Sequence, residues 1–189
     1  MTLALFDLDN TLLKGDSDHA WGEFLINHQL VDAEAYRQAN NRFYGQYKDG
    51  TLDIHEYSRF TLKFLSENNM ETLDRLHRQF MQTMILPMID DKARQLIHHH
   101  REQGHTLMII TATNRFVTEP IATELGIEHL LATEPKRVKG HYSRELEGEP
   151  AFREGKVIRL REWLADREET LQGSYFYSDS FNDLPLQNH

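Results

Sequence analysis

The 189-residue chain has no cysteine. Disulfides and thiolate chemistry are therefore excluded, and a reducing compartment suits it. Long apolar runs are missing as well, and none approaches the roughly 18 residues that a membrane-spanning helix requires. The N-terminal stretch MTLALFDLDNTLL is interrupted by Asp7 and Asp9 and follows no basic region. It reads neither as a secretory signal nor as a span, so the expected location is the cytoplasm, away from membranes. Positive charge is scarce: 21 Lys and Arg stand against 30 Asp and Glu, a formal net charge of −9. Such a chain has no electrostatic reason to hold DNA or RNA, and it offers a phosphate ester no long-range attraction. Any phosphate site must be built locally, from a metal ion, a lysine and backbone N–H groups. Internal repeats and low-complexity segments are absent too.

What is present suits one α/β core with a small insertion, since 39% of the residues are hydrophobic. Residues 2–6, 105–110, 128–133 and 174–178 are short apolar runs, and three of them stop at hydroxyl or acidic residues. In a parallel sheet, polar groups just past the C-terminal strand ends are where ligands sit. Helical spacing of apolar residues marks 87–104, 116–125 and 156–170, with Pro120 expected to begin or bend the second. The alternation predicts a doubly wound α/β domain. Residues 16–83 interrupt it with helical stretches at 18–30, 32–47, 53–68 and 72–83, an insertion able to serve as a lid. The expected division is 1–15 and 84–189 for the core and 16–83 for a helical cap. Residues 140–147 are expected to form a hairpin arm beside the site. The run of strands stops at the fourth, with no covering helix after it, so the C-terminal part of the core is expected to be missing.

Asp7 and Asp9 are two apart on a strand end and point the same way there. Two carboxylates so placed repel and need a cation or a shared proton; a hard cation such as Mg2+ takes oxygen ligands of this kind. The bland reading is that they only cap the next turn. Asp179 and Asp183 follow the last strand in DSFND, and a helical turn would bring them to one side. If the first and last strands are neighbours, all four acids converge. Thr111 ends its strand and offers a hydroxyl and nearby N–H groups to a phosphoryl oxygen. Lys156 opens a helix, where a cation is slightly unfavourable to the macrodipole and a local anion would explain it.

These pieces, DLDNT at 7–11, IITAT at 109–113, Lys156 in REGK and SDSFND at 178–183, occur in the order and spacing of the haloacid dehalogenase-like hydrolases. The chain resembles their phosphoserine-phosphatase-like branch over essentially its whole length, but it lacks the last strand and helix with which that family usually ends. The resemblance implies a Rossmann-like, three-layer parallel sheet core with a helical cap after the first strand. It implies an Mg2+-dependent phosphomonoesterase in which Asp7 attacks phosphorus and forms an aspartyl-phosphate. Asp9 would protonate the leaving alcohol and then activate water. Thr111 and the Ala112 N–H would hold phosphoryl oxygens, and Lys156 would neutralise charge on the nucleophile and the phosphoryl group. The metal would take Asp7, Asp179 and the carbonyl of Asp9, with Asp183 orienting a metal-bound water or Lys156. A halide needs no proton to depart whereas an alkoxide does, so the second acid argues for phosphate esters.

Asp16 stands where phosphoserine phosphatases carry a Glu able to pair with a substrate amine. The Arg those enzymes aim at the substrate carboxylate falls by ungapped matching on Thr61, and Arg59 is two positions early, about 200° away around a helix. The expectation is therefore a small amino-alcohol phosphate without a carboxylate, histidinol phosphate first and phosphoserine second. Trp21, Phe43, Tyr44, Tyr47 and Tyr57 are candidates to line an imidazole pocket, and His19 to meet a polar substrate group. The competing class is a phosphoacceptor signalling domain, or a binding protein on an inactive scaffold. The helical insertion and Asp9 argue against the first, and retention of Asp7, Asp9, Lys156 and Asp179 against the second. Oligomeric state stays open.

Overall fold

A computed structural model of the protein describes residues 1–179, 183 and 186. Its centre is a four-stranded, all-parallel sheet in the order β3-β2-β1-β6. The strands are β1 (Thr2–Phe6), β2 (Thr106–Asn114), β3 (His129–Thr133) and β6 (Thr170–Tyr177). Between β1 and β2 run five helices: α1 (Ser17–Asn27), α2 (Ala33–Asp49), α3 (Ile54–Thr61), α4 (Lys63–Ser66) and α5 (Met70–Phe80). The chain then passes through a π-turn and a 3-10 turn into α6 (Asp91–Glu102). α7 (Arg115–Glu124) joins β2 to β3, a hairpin of β4 (Pro135–Val138) and β5 (His141–Leu146) follows, and α8 (Glu154–Leu164) leads to β6. This is the expected α/β core with a large helical insertion after the first strand. Among the described residues no helix is long and apolar enough to cross a membrane.

Alternation along β1 builds the layers. Leu3 and Leu5 pack with Met108, Ile110, Val157 and Leu160 under α8. Ala4, Phe6 and Leu8 face the other way, against α6, α7 and the first inserted helix. Asp7 continues the odd-numbered series and so points to the α8 side. That one phase decision brings an acid from residue 7 to a lysine at residue 156.

The helices start where polar side chains cap them. Asp16, Asp32, Asp53, Asn69, Asp90 and Asn114 each accept a main-chain N–H of the first turn, the preferred N-cap chemistry. Several boundaries therefore differ from those expected. α6 begins after Asp90 rather than at Pro87, which sits in the 3-10 turn. Pro120 does not begin α7 but lies inside it. α8 stops at Leu164, short of residue 170. The hairpin arm begins at Pro135 and turns at Lys139 and Gly140, both at positive φ. β6 starts four residues early because a register shift opposite Thr2 and Ala4, with Gly173 at φ 73, carries pairing back to Thr170.

Candidate active site

The site forms at the C-terminal ends of β1, β2 and β6. Phe6 is in register with Tyr177, and the Asp7 N–H donates to the Tyr177 carbonyl at 2.9 Å. The two acidic motifs at opposite ends of the sequence are therefore neighbours. Lys156 lies in the first turn of α8 with its Nζ 3.3 Å from Asp7 Oδ1 and 2.5 Å from Asp183 Oδ1. Asp7, Lys156 and Asp183 are 7%, 5% and 1% exposed. The Ser178 hydroxyl donates to the other Asp183 oxygen at 2.5 Å.

Two buried carboxylates share one ammonium, which leaves a net negative charge. Burial pushes the Asp7 carboxyl from 3.8 up to about 7; Lys156 opposes this, while Asp183 and Asp9 add to it. Burial also works against the Lys156 ammonium, but Asp7 and Asp183 outweigh it and hold its pKa above the usual lysine range.

Lys156 is placed by a strained turn. Arg153, just before α8, has φ 53 and ψ −121, a region that costs a non-glycine residue about 1–3 kcal/mol. A Cβ on Gly155 would lie 2.0 Å from the Pro150 carbonyl oxygen. Only glycine lets the helix start this close to the preceding loop.

Asp9 turns away from Lys156. Asn10, in the left-handed region at φ 57, reverses the chain, and its N–H donates to the Gly15 carbonyl. Asp9 then accepts the Ser17 N–H on Oδ1 at 2.6 Å and the Thr113 hydroxyl on Oδ2 at 2.8 Å. Ser17 N–H belongs to the start of α1, where a carboxylate is favoured. Burial, with Asp16 adding to it, pushes the Asp9 carboxyl up to about 7. A carboxyl poised there can give or take a proton near neutrality.

Thr111 is buried, and its Oγ accepts the Thr113 N–H at 3.2 Å. Ala112 lines a crevice between core and insertion, together with Thr113, Asp18 and Tyr57. Asp179 is exposed in the bend after β6, and residues 180–182 of its motif lie outside the described residues. Asp16 and His19 are exposed at the start of α1, where Asp16 accepts the His19 N–H at 2.9 Å. Arg59 is exposed and pairs with Glu145 of the hairpin at 3.3 Å. Of the five expected pocket aromatics, Tyr57 lines the crevice. Trp21 packs against Phe24, Phe80 and Phe116 in the core, and Tyr44 lies 58% exposed.

The haloacid dehalogenase-like hydrolase pattern matches residues 4–187. The chain belongs to the haloacid dehalogenase-like hydrolases. Among the relatives of this hydrolase is the histidinol-phosphatase of Neisseria meningitidis serogroup C, 43% identical over 97% of this chain and 85% of that protein. Phosphoserine phosphatase SerB1 of Mycobacterium tuberculosis is 32% identical over 97% of this chain, which spans only 60% of that relative's length. A Bordetella pertussis protein of unknown function superposes with a TM-score of 0.91 at 40% identity, covering all of this chain and 87% of the other. A substrate-bound phosphoserine phosphatase, 16% identical, shares the fold with a TM-score of 0.71, covering 99% of this chain and 81% of its own.

Sequence reasoning did not assign roles to Ser17, Thr113 or Asp18. The signal for Thr113 was its position two residues past Thr111 on the same strand. For Ser17 and Asp18 nothing local gave one, because their relation to Asp9 depends on how the loop after β1 folds back.

Among the described residues no group of three or more His, Asp or Glu side chains is gathered to hold a metal ion. The donors at the strand ends are nonetheless all oxygen, and one buried negative charge is left uncompensated. That combination fits a hard divalent cation completed by main-chain oxygen and water.

Proposed function

We propose that this phosphoric monoester hydrolase acts on a small amino-alcohol phosphate, with histidinol phosphate preferred, through an aspartyl-phosphate at Asp7. The carrying observation is the division of labour between the two acids. Asp7 is held on one oxygen by Lys156, while Asp9 is held apart by Thr113 and the start of α1.

In this reading residues 16–83 are the cap. Asp7 Oδ2 attacks phosphorus as the bond to the ester oxygen breaks, and Asp9 gives its proton to the departing alkoxide. Water then loses a proton to Asp9 and attacks phosphorus, which releases phosphate and restores Asp7. Lys156, Thr111 and the Ala112 N–H hold the phosphoryl group, and Asp183 holds Lys156. Asp7, Asp179 and the Asp9 carbonyl would hold Mg2+, which supplies charge neutralisation for the equatorial oxygens.

Two findings support histidinol phosphate over phosphoserine. Arg59, the nearest candidate for a substrate carboxylate, is committed to Glu145 on the outside. The Neisseria histidinol-phosphatase is also 43% identical over 97% of this chain, against 32% for phosphoserine phosphatase SerB1. Phosphate release from a panel of esters with Mg2+ tests the reading. Histidinol phosphate should exceed phosphoserine at least tenfold in kcat/KM; the reverse order would overturn the preference. An Asp7→Asn protein that kept wild-type turnover would remove the nucleophile.

A further inference from the structure

The groups expected to hold the phosphoryl moiety arrive on two separate pieces of chain. Thr111 and the Ala112 N–H stand near the end of β2, and Lys156 stands in the first turn of α8. Thr111 accepts a hydrogen bond from its own turn and Lys156 pairs with acids. Neither bond ties one piece to the other. Glu134, directly after β3, does so. Arg115 opens α7 just past the Thr111 turn, and its Nε lies 2.9 Å from both Glu134 carboxylate oxygens. Arg159 stands on α8 one turn beyond Lys156, and its Nη2 donates to Glu134 Oε1 at 3.4 Å. Each arginine also takes a main-chain carbonyl of β3, the outermost strand. Arg115 takes that of Leu130 and Arg159 that of Ala132, both at 2.9 Å.

The loop before α8 is tied to the same strand end. The Glu147 N–H donates to the Glu134 carbonyl at 2.8 Å and the Ala151 N–H to the Thr133 hydroxyl oxygen at 3.2 Å. Arg159 Nη1 donates to the Glu149 carbonyl at 3.0 Å. This is the loop against which Gly155 packs and from which α8, with Lys156, begins. The side chains of Glu134 and Arg159 are 25% and 14% exposed. Their contacts are therefore partly withdrawn from solvent, and the guanidinium forks fix their geometry, unlike loose surface pairs.

Resting on the reading above, in which Thr111, the Ala112 N–H and Lys156 hold the phosphoryl group, we propose that Glu134, bridged by Arg115 and Arg159, is a positioning residue for phosphoryl transfer. It sets the distance between the turn after β2 and the start of α8, and so the fit of the two halves of the cradle to five-coordinate phosphorus. A displacement of about 1 Å in groups of this kind costs roughly 100-fold in rate.

The test uses the full chain with Mg2+ and 4-nitrophenyl phosphate. It reads kcat together with inhibition by orthovanadate, which mimics five-coordinate phosphorus, and by inorganic phosphate, which is tetrahedral. Glu134→Gln keeps the shape and removes the charge, and Arg159→Lys keeps the charge and removes the fork. Each should lower kcat roughly 10- to 100-fold. Each should raise the vanadate inhibition constant by a similar factor, with the phosphate constant moving less than about threefold. Glu119→Gln, which removes an exposed partner of Arg115, should leave all three quantities within about twofold. A clamp that only stabilises the fold would lower the urea midpoint and leave kcat and the vanadate constant in place, and that result overturns the proposal. So do a vanadate constant that rises no more than the phosphate constant, and losses as large in Glu119→Gln. If Glu134→Gln does not fold by circular dichroism, Arg159→Lys decides by the same measures. Wild-type protein that cleaves no phosphate ester overturns the hydrolase reading itself. Wild-type turnover with both variants unchanged overturns only the positioning role.

Discussion

Replacing Asp7 by Asn should abolish turnover and at the same time make the metal-free protein more stable above neutral pH. The reason is the environment in which Asp7 is held. Its carboxyl is 7% exposed and its pKa stands at about 7 instead of 3.8. Between those two values the native state holds a proton that the unfolded chain releases, so stability falls as pH rises through this window and the full cost is present above pH 7. A rise of about three pH units corresponds to roughly 4 kcal/mol. Asn carries no charge, but its amide meets the Lys156 ammonium less well, at a cost of about 1–2 kcal/mol; Asp183 remains to pair the lysine. The net gain is about 2–3 kcal/mol, or roughly 4–12 °C in Tm for a chain of this size. Differential scanning calorimetry in EDTA at pH 8 measures it, and at pH 4, where the native carboxyl is protonated, the gain should be gone and the variant should be no more stable than wild type. Adding Mg2+ should raise the wild-type Tm more than that of Asp7→Asn, because the cation binds the charge the variant lacks. An Asp7→Asn protein no more stable than wild type at pH 8 without metal would refute the claim that this carboxylate is held at an electrostatic cost.

Gly155→Ala should place a methyl group against the Pro150 carbonyl, move Lys156, and lower kcat at least tenfold while costing about 1–3 kcal/mol; kinetics and urea unfolding check both. Lys156→Met leaves Asp7 and Asp183 facing each other without a cation, and should cost about 3–5 kcal/mol at pH 8 in urea unfolding. His77 is 3% exposed, with Nε2 donating to the Val117 carbonyl at 3.0 Å, and burial holds its pKa below 6.5. The unfolded chain therefore binds the extra proton, and stability should fall as pH drops below 6.5. In His77→Gln that part of the acid-side loss should be missing when the two pH–stability curves are subtracted.

The parts of this molecule that could be read from the sequence are those fixed by local periodicity and by residue types with few other uses. The apolar run before Asp7, the amphipathic stripe of Val157, Leu160 and Trp163, and the helical insertion each follow from spacing alone. The pairing of β1 with β6 did not follow, and it entered only as a condition; register between strands so far apart is set by packing on both faces of the sheet. Boundaries failed where one side chain outweighed a pattern. Asp90 sets the start of α6 although Pro87 has the residue type favoured at a first turn. Gly173 moves the start of β6 through a shift in pairing.

The site shows the same limit at higher resolution. Spacing of two predicts that Asp7 and Asp9 share a side, and along an uninterrupted strand they would. Asn10 ends the strand geometry at once by taking φ 57, and the loop returns to place Ser17 N–H on Asp9. The two carboxyls therefore do different work although their residue types are the same: one is held by an ammonium, the other by a hydroxyl and a helix start. The same return explains why an acid two residues beyond the expected one faces the crevice. Asp16 is consumed in starting α1, and the first turn of that helix carries Asp18 inward to Tyr57. Which carboxylate faces the crevice is thus decided by where a helix begins, and residue spacing counted from Asp7 cannot supply that information.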